Sequence, residues 1–268
     1  KAVGEQCKRM GIQVNYAPDV DINNNPLNPV INDRSFGEDK YKVALYGVQY
    51  MKGMQDVGVM ATAKHFPGHG DVSVDSHKDL PVHKKKRTQS DICELIPFKT
   101  IIKAGVVVIM PAHLWLPGTY TTTNLHSSWS YKNVTGILRN DLHFQGISFT
   151  DALEMQGVAK YFPKGDASVM SLIAGNDMLC LPGDIPGSIA KVKEAIKDGR
   201  LSWDNINAKV KKVLLAKYHL GLNKTEPIQT EGLLNDLNAQ TNSIRAMVSA
   251  NAITLLHKEN DAIFPISA

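Results

Sequence analysis

The residues best suited to chemistry are concentrated in Lys64-His-Phe-Pro-Gly-His-Gly-Asp71 and in Asp75-Ser-His77, which follows almost at once. Asp75 and His77 form an i, i+2 pair, and in a turn or an extended backbone such a pair can face the same way. The carboxylate would then hold the imidazole in one tautomer and raise its pKa, poising it for acid–base work near neutral pH. A surface histidine beside an acid fits the same spacing. Lys64 and His65 close a short apolar run, Val59-Met-Ala-Thr-Ala63. A lysine there is costly to bury unless it meets a substrate or a carboxylate. Asp151 ends another apolar run, in Ile147-Ser-Phe-Thr-Asp-Ala-Leu-Glu-Met155. It reads either as a catalytic carboxylate or as the N-cap of a following helix, the latter helped by Glu154 three residues on. Arg34, in Asn32-Asp-Arg-Ser-Phe36, can clamp hydroxyls or a carboxylate, or serve a structural ion pair. His65 and His69 stand i, i+4, as zinc ligands do on a helix. Pro67-Gly68 between them forbids that helix, so neither a metal nor a cofactor is expected.

Five short apolar runs have strand character: Val14–Ile22, Val59–His65, Val106–His113, Gly146–Leu153 and Asp177–Pro182. Helical segments are expected between and after them. The first covers Tyr41–Asp56, with Val43, Tyr46, Tyr50, Met54 and Val57 as its apolar stripe. Others cover Asp91–Ala104, with a bend at Pro97, Asn133–Leu142, Ala167–Ala174 and Pro186–Asp198. A last one runs from a Ser202 cap to about His219. This alternation describes βα units and a parallel sheet with helices outside. Ionisable residues fall at the C-terminal end of each run: Asp19 and Asp21, Lys64 and His65, His113, Asp151, and Asp184 after the last. That arrangement is the catalytic rim of an α/β barrel. The fold class is therefore α/β, a (β/α)8 TIM-type barrel represented by about five of its eight units. Three strands are expected ahead of Lys1. The pattern changes after Leu222, giving a partial-barrel catalytic domain over 1–222, a linker and helix over 223–250, and over 251–268 the start of a C-terminal α/β domain.

Bulk composition excludes several classes. Among 268 residues the formal net charge is only +4, and the basic run Lys84-Lys-Lys-Arg87 has no interleaved aromatics. It reads as a solvated loop, and no nucleic-acid partner is expected. No run approaches the ~18 apolar residues that span a bilayer. Cys7, Cys93 and Cys180 are too scattered for a disulfide framework or a zinc site.

Taken together, these segments resemble glycoside hydrolase family 3, in its β-N-acetylglucosaminidase branch. The likeness rests on Lys64-His-Phe-Pro-Gly-His-Gly with Asp75-Ser-His77, a motif specific to that branch. Asn15-Tyr-Ala-Pro18, Asn28-Pro-Val-Ile-Asn-Asp-Arg-Ser-Phe36, Met110-Pro-Ala-His113 and Phe149-Thr-Asp-Ala-Leu153 support it. Ile253-Thr-Leu-Leu256 is similar to the entry into the α/β sandwich that follows the barrel in longer members. The resemblance implies Asp151 as nucleophile, His77 as acid/base, Asp75 as its partner, and Arg34, Lys64 and His65 as sugar-binding residues. It implies retaining hydrolysis of a terminal β-linked N-acetylglucosamine, with a carbohydrate, an N-acetylglucosaminide, as substrate. Phosphorolysis, a β-glucosidase or β-xylosidase, and a non-catalytic carbohydrate-binding relative are the alternatives. In the family an acid and an arginine from a Gly-rich loop upstream complete the pocket. This stretch alone is accordingly expected to be weakly stable or inactive.

Overall fold

The apolar run before Lys64 forms strand β2 (Met60–Phe66), flanked by β1 (Val14–Asn15) on one side and by β3 (Val108–Pro111) and then β4 (Ile147–Ser148) on the other. The computed structural model describes residues 1–75, 79–118, 126–155, 165–254 and 257. The pairings among these four strands are parallel, with Val14 opposite Met60, Thr62 opposite Val108, and Val108 opposite Ile147. A parallel bridge from Phe149 to Met178 adds a fifth segment beyond β4. The sheet thus runs in sequence order, as successive βα units must. The expected α/β class and strand order are observed.

Individual elements depart from expectation for local reasons. Strand β1 ends at Asn15, yet the segment beyond it stays against β2: the Ala17 carbonyl accepts from Thr62 N–H (2.8 Å), and Val20 N–H donates to the Lys64 carbonyl (2.8 Å). The first long helix is Lys40–Gln55, capped by Asp39 Oδ1, which accepts from Tyr41 and Lys42 N–H at 2.9 and 2.8 Å. Its buried face carries Val43, Met51 and Met54, and Tyr46 points outward rather than into the stripe. The helix expected over Asp91–Ala104 is shorter: Asp91 closes a preceding helix, Arg87–Asp91, and a second helix covers Leu95–Lys103. Pro97 bends neither, because it lies in the first turn of the second, where a missing N–H breaks no intrahelical bond. The helix Lys132–Asp141 is π-type, and Leu142 N–H reaches back five residues to the Ile137 carbonyl (2.9 Å). Asp166–Ala174, Ile185–Lys197 and Trp203–His219 follow, the last capped by Ser202 Oγ on Asn205 N–H (3.1 Å).

The main core lies between β2 and the two helices outside it. Val43, Met51 and Met54 meet Leu95, Phe98 and Ile101 over Ala61, Ala63 and Phe66. Phe66 and Phe98 pack edge to face at 5.3 Å. After His219 the chain forms two helices, Leu233–Asn238 and Thr241–Ala252, where one stretch to about Ala250 was expected. They return to the first helix, Ala2–Arg9, through Arg9 Nε to Asp236 Oδ2 (2.8 Å) and Gln6 Nε2 to the Leu237 carbonyl (2.7 Å). Ala252 closes the second of these helices, and Ile253 beyond it is exposed. Leu255, Leu256 and Phe264 lie outside the described residues. Among the described residues, no helix is long and apolar enough to cross a membrane.

Candidate active site

At the C-terminal end of the sheet, β2 changes register against β3 between Lys64 and Phe66. The segment after β1 runs alongside, with Asp19 bridged in parallel to Lys64. Asp19-Val20-Asp21 is thereby laid against Lys64-His65. Asp21 is fully buried and organises the corner. Its Oδ2 accepts from the His65 backbone N–H (3.0 Å) and from His65 Nδ1–H (2.7 Å), and its Oδ1 accepts from the His69 backbone N–H (2.6 Å). A carboxylate only accepts, so the His65 proton is fixed on Nδ1 and Nε2 is an acceptor. Arg34 Nη2 lies 3.4 Å from that Nε2 and 3.3 Å from Asp19 Oδ2.

Burial sets the charges here. It pushes His65 down to about 4, against the pull of Asp19 and Asp151, so the ring is neutral. Burial also pushes both neighbouring carboxyls up, Asp19 to about 8 with the Asp21 charge adding to the shift. At Asp21 the Asp19 hydrogen bond and the two backbone N–H donors oppose that rise. Lys64 is lowered by burial and then by the Arg34 charge, while Asp19, Asp151 and Asp21 hold it up.

Asp151 stands just past β4, partly buried, with its N–H on the Pro111 carbonyl (3.3 Å) and its Oδ1 accepting from Ala152 N–H (2.8 Å). Burial works to raise its pKa, but His65, His113 and the Ala152 N–H outweigh it and hold the carboxyl below the usual aspartate range. It is an ionised carboxylate in electrostatic reach of Lys64, His65 and His113. No helix starts among residues 151–155, and among the described residues Oδ1 accepts from the N–H of Ala152, which is not a helix cap. Arg34, Lys64, His65 and Asp151 are therefore brought to one rim.

Asp75 is partly buried in the loop beyond Val72, and its carbonyl accepts from Asp79 N–H (3.0 Å). Asn25 Nδ2 ties that loop down at the Val72 carbonyl (3.2 Å) and Ser73 Oγ (3.0 Å). His77 lies outside the described residues, as do Ser76 and Lys78. Asp184 does not join the rim. It is exposed and caps Ile185–Lys197 through Gly187 N–H (2.9 Å).

Sequence reasoning placed Asp21 and His113 at strand ends but gave them no role. The Asp19-x-Asp21 spacing, which turns both acids to one side of an extended segment, was the available signal. His69 also joins the cluster. Its ring meets that of His65 at 5.7 Å although no helix connects them, because the Pro-Gly loop folds back. One ligand atom each from Asp19, Asp21 and His65 lies within 4.8 Å of the others, and so it does for Asp71, His83 and Glu94. Arg34 already supplies the cation at the first triad, and at the second Lys85 Nζ sits 2.5 Å from Glu94 and 3.4 Å from Asp71. The rim thus presents an anionic carboxylate beside a neutral imidazole and two cationic donors, a set that could serve attack on an electrophilic carbon of a polyhydroxylated ligand.

Residues 1–216 match the model of the glycosyl hydrolase family 3 N-terminal domain. The chain is 32% identical to β-hexosaminidase A of Pseudoalteromonas piscicida, over 99% of this chain and 47% of that protein. The structure of a glycoside hydrolase family 3 β-N-acetylglucosaminidase from Paenibacillus sp. str. FPU-7 superimposes with a TM-score of 0.86 at 32% identity, covering 97% of this chain and 50% of that one. The β-glucoside phosphorylase BglX superimposes with a TM-score of 0.89 at 25% identity, covering 99% of this chain and 50% of its own. The chain spans about half the length of these relatives.

Proposed function

Because this chain belongs to glycosyl hydrolase family 3, we propose that the protein removes terminal β-linked N-acetylglucosamine with retention of configuration. Asp151 is the nucleophile, His77 the acid/base and Asp75 its partner, while Arg34, Lys64 and His65 hold the sugar. The observation that carries this reading is that the parallel register of β2, β3 and β4 sets Asp151 at the same strand ends as Lys64 and His65.

In the first step an Asp151 oxygen attacks the anomeric carbon as the glycosidic C–O bond breaks, and His77 gives its proton to the departing oxygen. Water then attacks the glycosyl–aspartate, His77 takes the water proton, and the carboxylate is released. Most retaining glycosidases use a second carboxylate where this mechanism uses a histidine. Lys64 and Arg34 donate to sugar hydroxyls, and His65 Nε2 can accept from one once Arg34 turns to the ligand. Such contacts between charged donors and neutral hydroxyls fix orientation, which is where much of the rate is gained.

A second reading is favoured by the histidine itself and by the likeness to a β-glucoside phosphorylase. A neutral imidazole does not repel phosphate from the glycosyl–enzyme as a carboxylate would, so phosphate can replace water as acceptor. Chromogenic N-acetylglucosaminide and glucoside, each with and without phosphate, separate these outcomes. We expect the N-acetylglucosaminide to be turned over at least ~10-fold faster, as a site hydrogen-bonding the acetamido group requires. Glucoside preference would overturn the substrate assignment, and a phosphate-dependent rate with sugar phosphate as product would establish phosphorolysis.

A further inference from the structure

We propose that His113, oriented by Ser128, is a positioning residue for the Asp151 carboxylate, an inference that rests on Asp151 being the nucleophile. His113 follows β3 and is buried at 1% exposure, and both its ring nitrogens are engaged. Nε2 lies 3.1 Å from the Ala152 carbonyl oxygen, and Nδ1 lies 2.7 Å from Ser128 Oγ. A carbonyl oxygen can only accept, so Nε2 carries the hydrogen. The neutral ring then offers its lone pair at Nδ1, where the Ser128 hydroxyl donates. One tautomer satisfies both contacts.

The consequence falls on the neighbouring acid. Ala152 is held from two sides, its carbonyl by His113 and its N–H by Asp151 Oδ1 (2.8 Å). One carboxylate oxygen is thereby pinned, and among the described residues no hydrogen bond is made to Oδ2. A carboxylate with one oxygen fixed and the other open is prepared for in-line attack. The support behind the ring is rigid. His126 and Trp129 stack at 4.0 Å and flank His113 at 5.9 and 6.2 Å, and Ser127 Oγ donates to the Ala112 carbonyl (2.5 Å). Metal-site physics describes the same device, in which a partner fixes a ring tautomer and the ring orients the group that reacts.

Neither ring nitrogen is left for a sugar, so loss of His113 should slow attack without weakening substrate binding. In the whole protein, we expect His113→Ala to lower kcat about 10²-fold, the scale of a misplacement near 1 Å, with KM changed less than about threefold. His113→Gln retains an N–H donor for the Ala152 carbonyl and should recover part of that loss. Ser128→Ala frees the tautomer and should cost about tenfold. The direct readout is the rate of covalent capture by a 5-fluoro N-acetylglucosaminyl donor with an activated leaving group, followed by intact-protein mass, with melting curves as the check on folding. Slower capture in folded variants, with label still on Asp151, is the expected result. Unchanged capture in folded His113→Gln and Ser128→Ala, or a rise in KM at constant kcat, would overturn the proposal. If His113→Ala does not fold, those two variants decide. Capture of the unsubstituted protein at another residue would instead remove the nucleophile assignment, a separate failure.

Discussion

At the scale of single residues, the site depends on keeping buried histidines neutral. His65 and His69 are pushed by burial to about 4 and about 3, whereas the unfolded chain titrates them near 6.5. Between those values the unfolded state binds protons that the native state excludes. The stabilisation is therefore complete above pH ~6.5 and is lost as pH falls toward 4. Melting temperatures should decline over that interval, and His69→Gln should flatten the decline; a slope that His69→Gln leaves unchanged would show that these rings are not its source. Lys64, His65 and Asp151 were legible as rim positions because each is an ionisable type at the end of an apolar run, where burial without a task is expensive; Arg34 stands on a loop, and its spacing left a structural ion pair open. Asp21 and His113 were not given roles. Their work is hydrogen bonding to backbone groups that only the folded strand pairing brings near, such as the His69 N–H and the Ala152 carbonyl.

Among the elements, the basic run Lys84-Lys-Lys-Arg87 offers the sharpest correction. It reads as a solvated loop, yet Lys85 enters a buried cluster with Glu94 and Asp71, and Arg87 pairs with Asp91 (2.9 Å) and Asp141 (3.1 Å). Glu94 is 2% exposed and is held below the usual carboxylate range, because Lys85 overcomes the effect of burial. Since Asp71 and Lys85 stand on either side of Asp75, this cluster ties together the two stems of the loop. Lys85→Met should destabilise the protein by about 3–5 kcal/mol, the cost of leaving a buried charge unpaired. Adding Glu94→Gln should restore part of it. Chemical denaturation measures both, and a single-variant change under about 1 kcal/mol would contradict this role. A sequence cannot distinguish the lysine that enters such a cluster from Lys84, which stays exposed. The helices were more legible, because the Ser202 and Gly175 boundaries are local signals: a side-chain cap and a left-handed stop (φ 113°). The Pro97 bend failed on position alone, since the first turn tolerates proline.

For the molecule as a whole, parallel order followed from the alternation of strand and helix, and the rim followed from where the ionisable residues fall. The return of the Leu233–Asn238 helix to Ala2–Arg9 was not legible, since it depends on Arg9 reaching Asp236 across the whole chain. The central claim is that a strand-tip carboxylate and a loop-borne imidazole act on one sugar. Its first half is open to direct chemical capture. Incubation of the protein with an activated 5-fluoro N-acetylglucosaminyl donor, then proteolysis and mass spectrometry, should find one glycosyl adduct on the peptide that contains Asp151. The Asp151→Asn protein should carry none. An adduct on a different carboxylate, or full turnover by Asp151→Asn, would contradict the account.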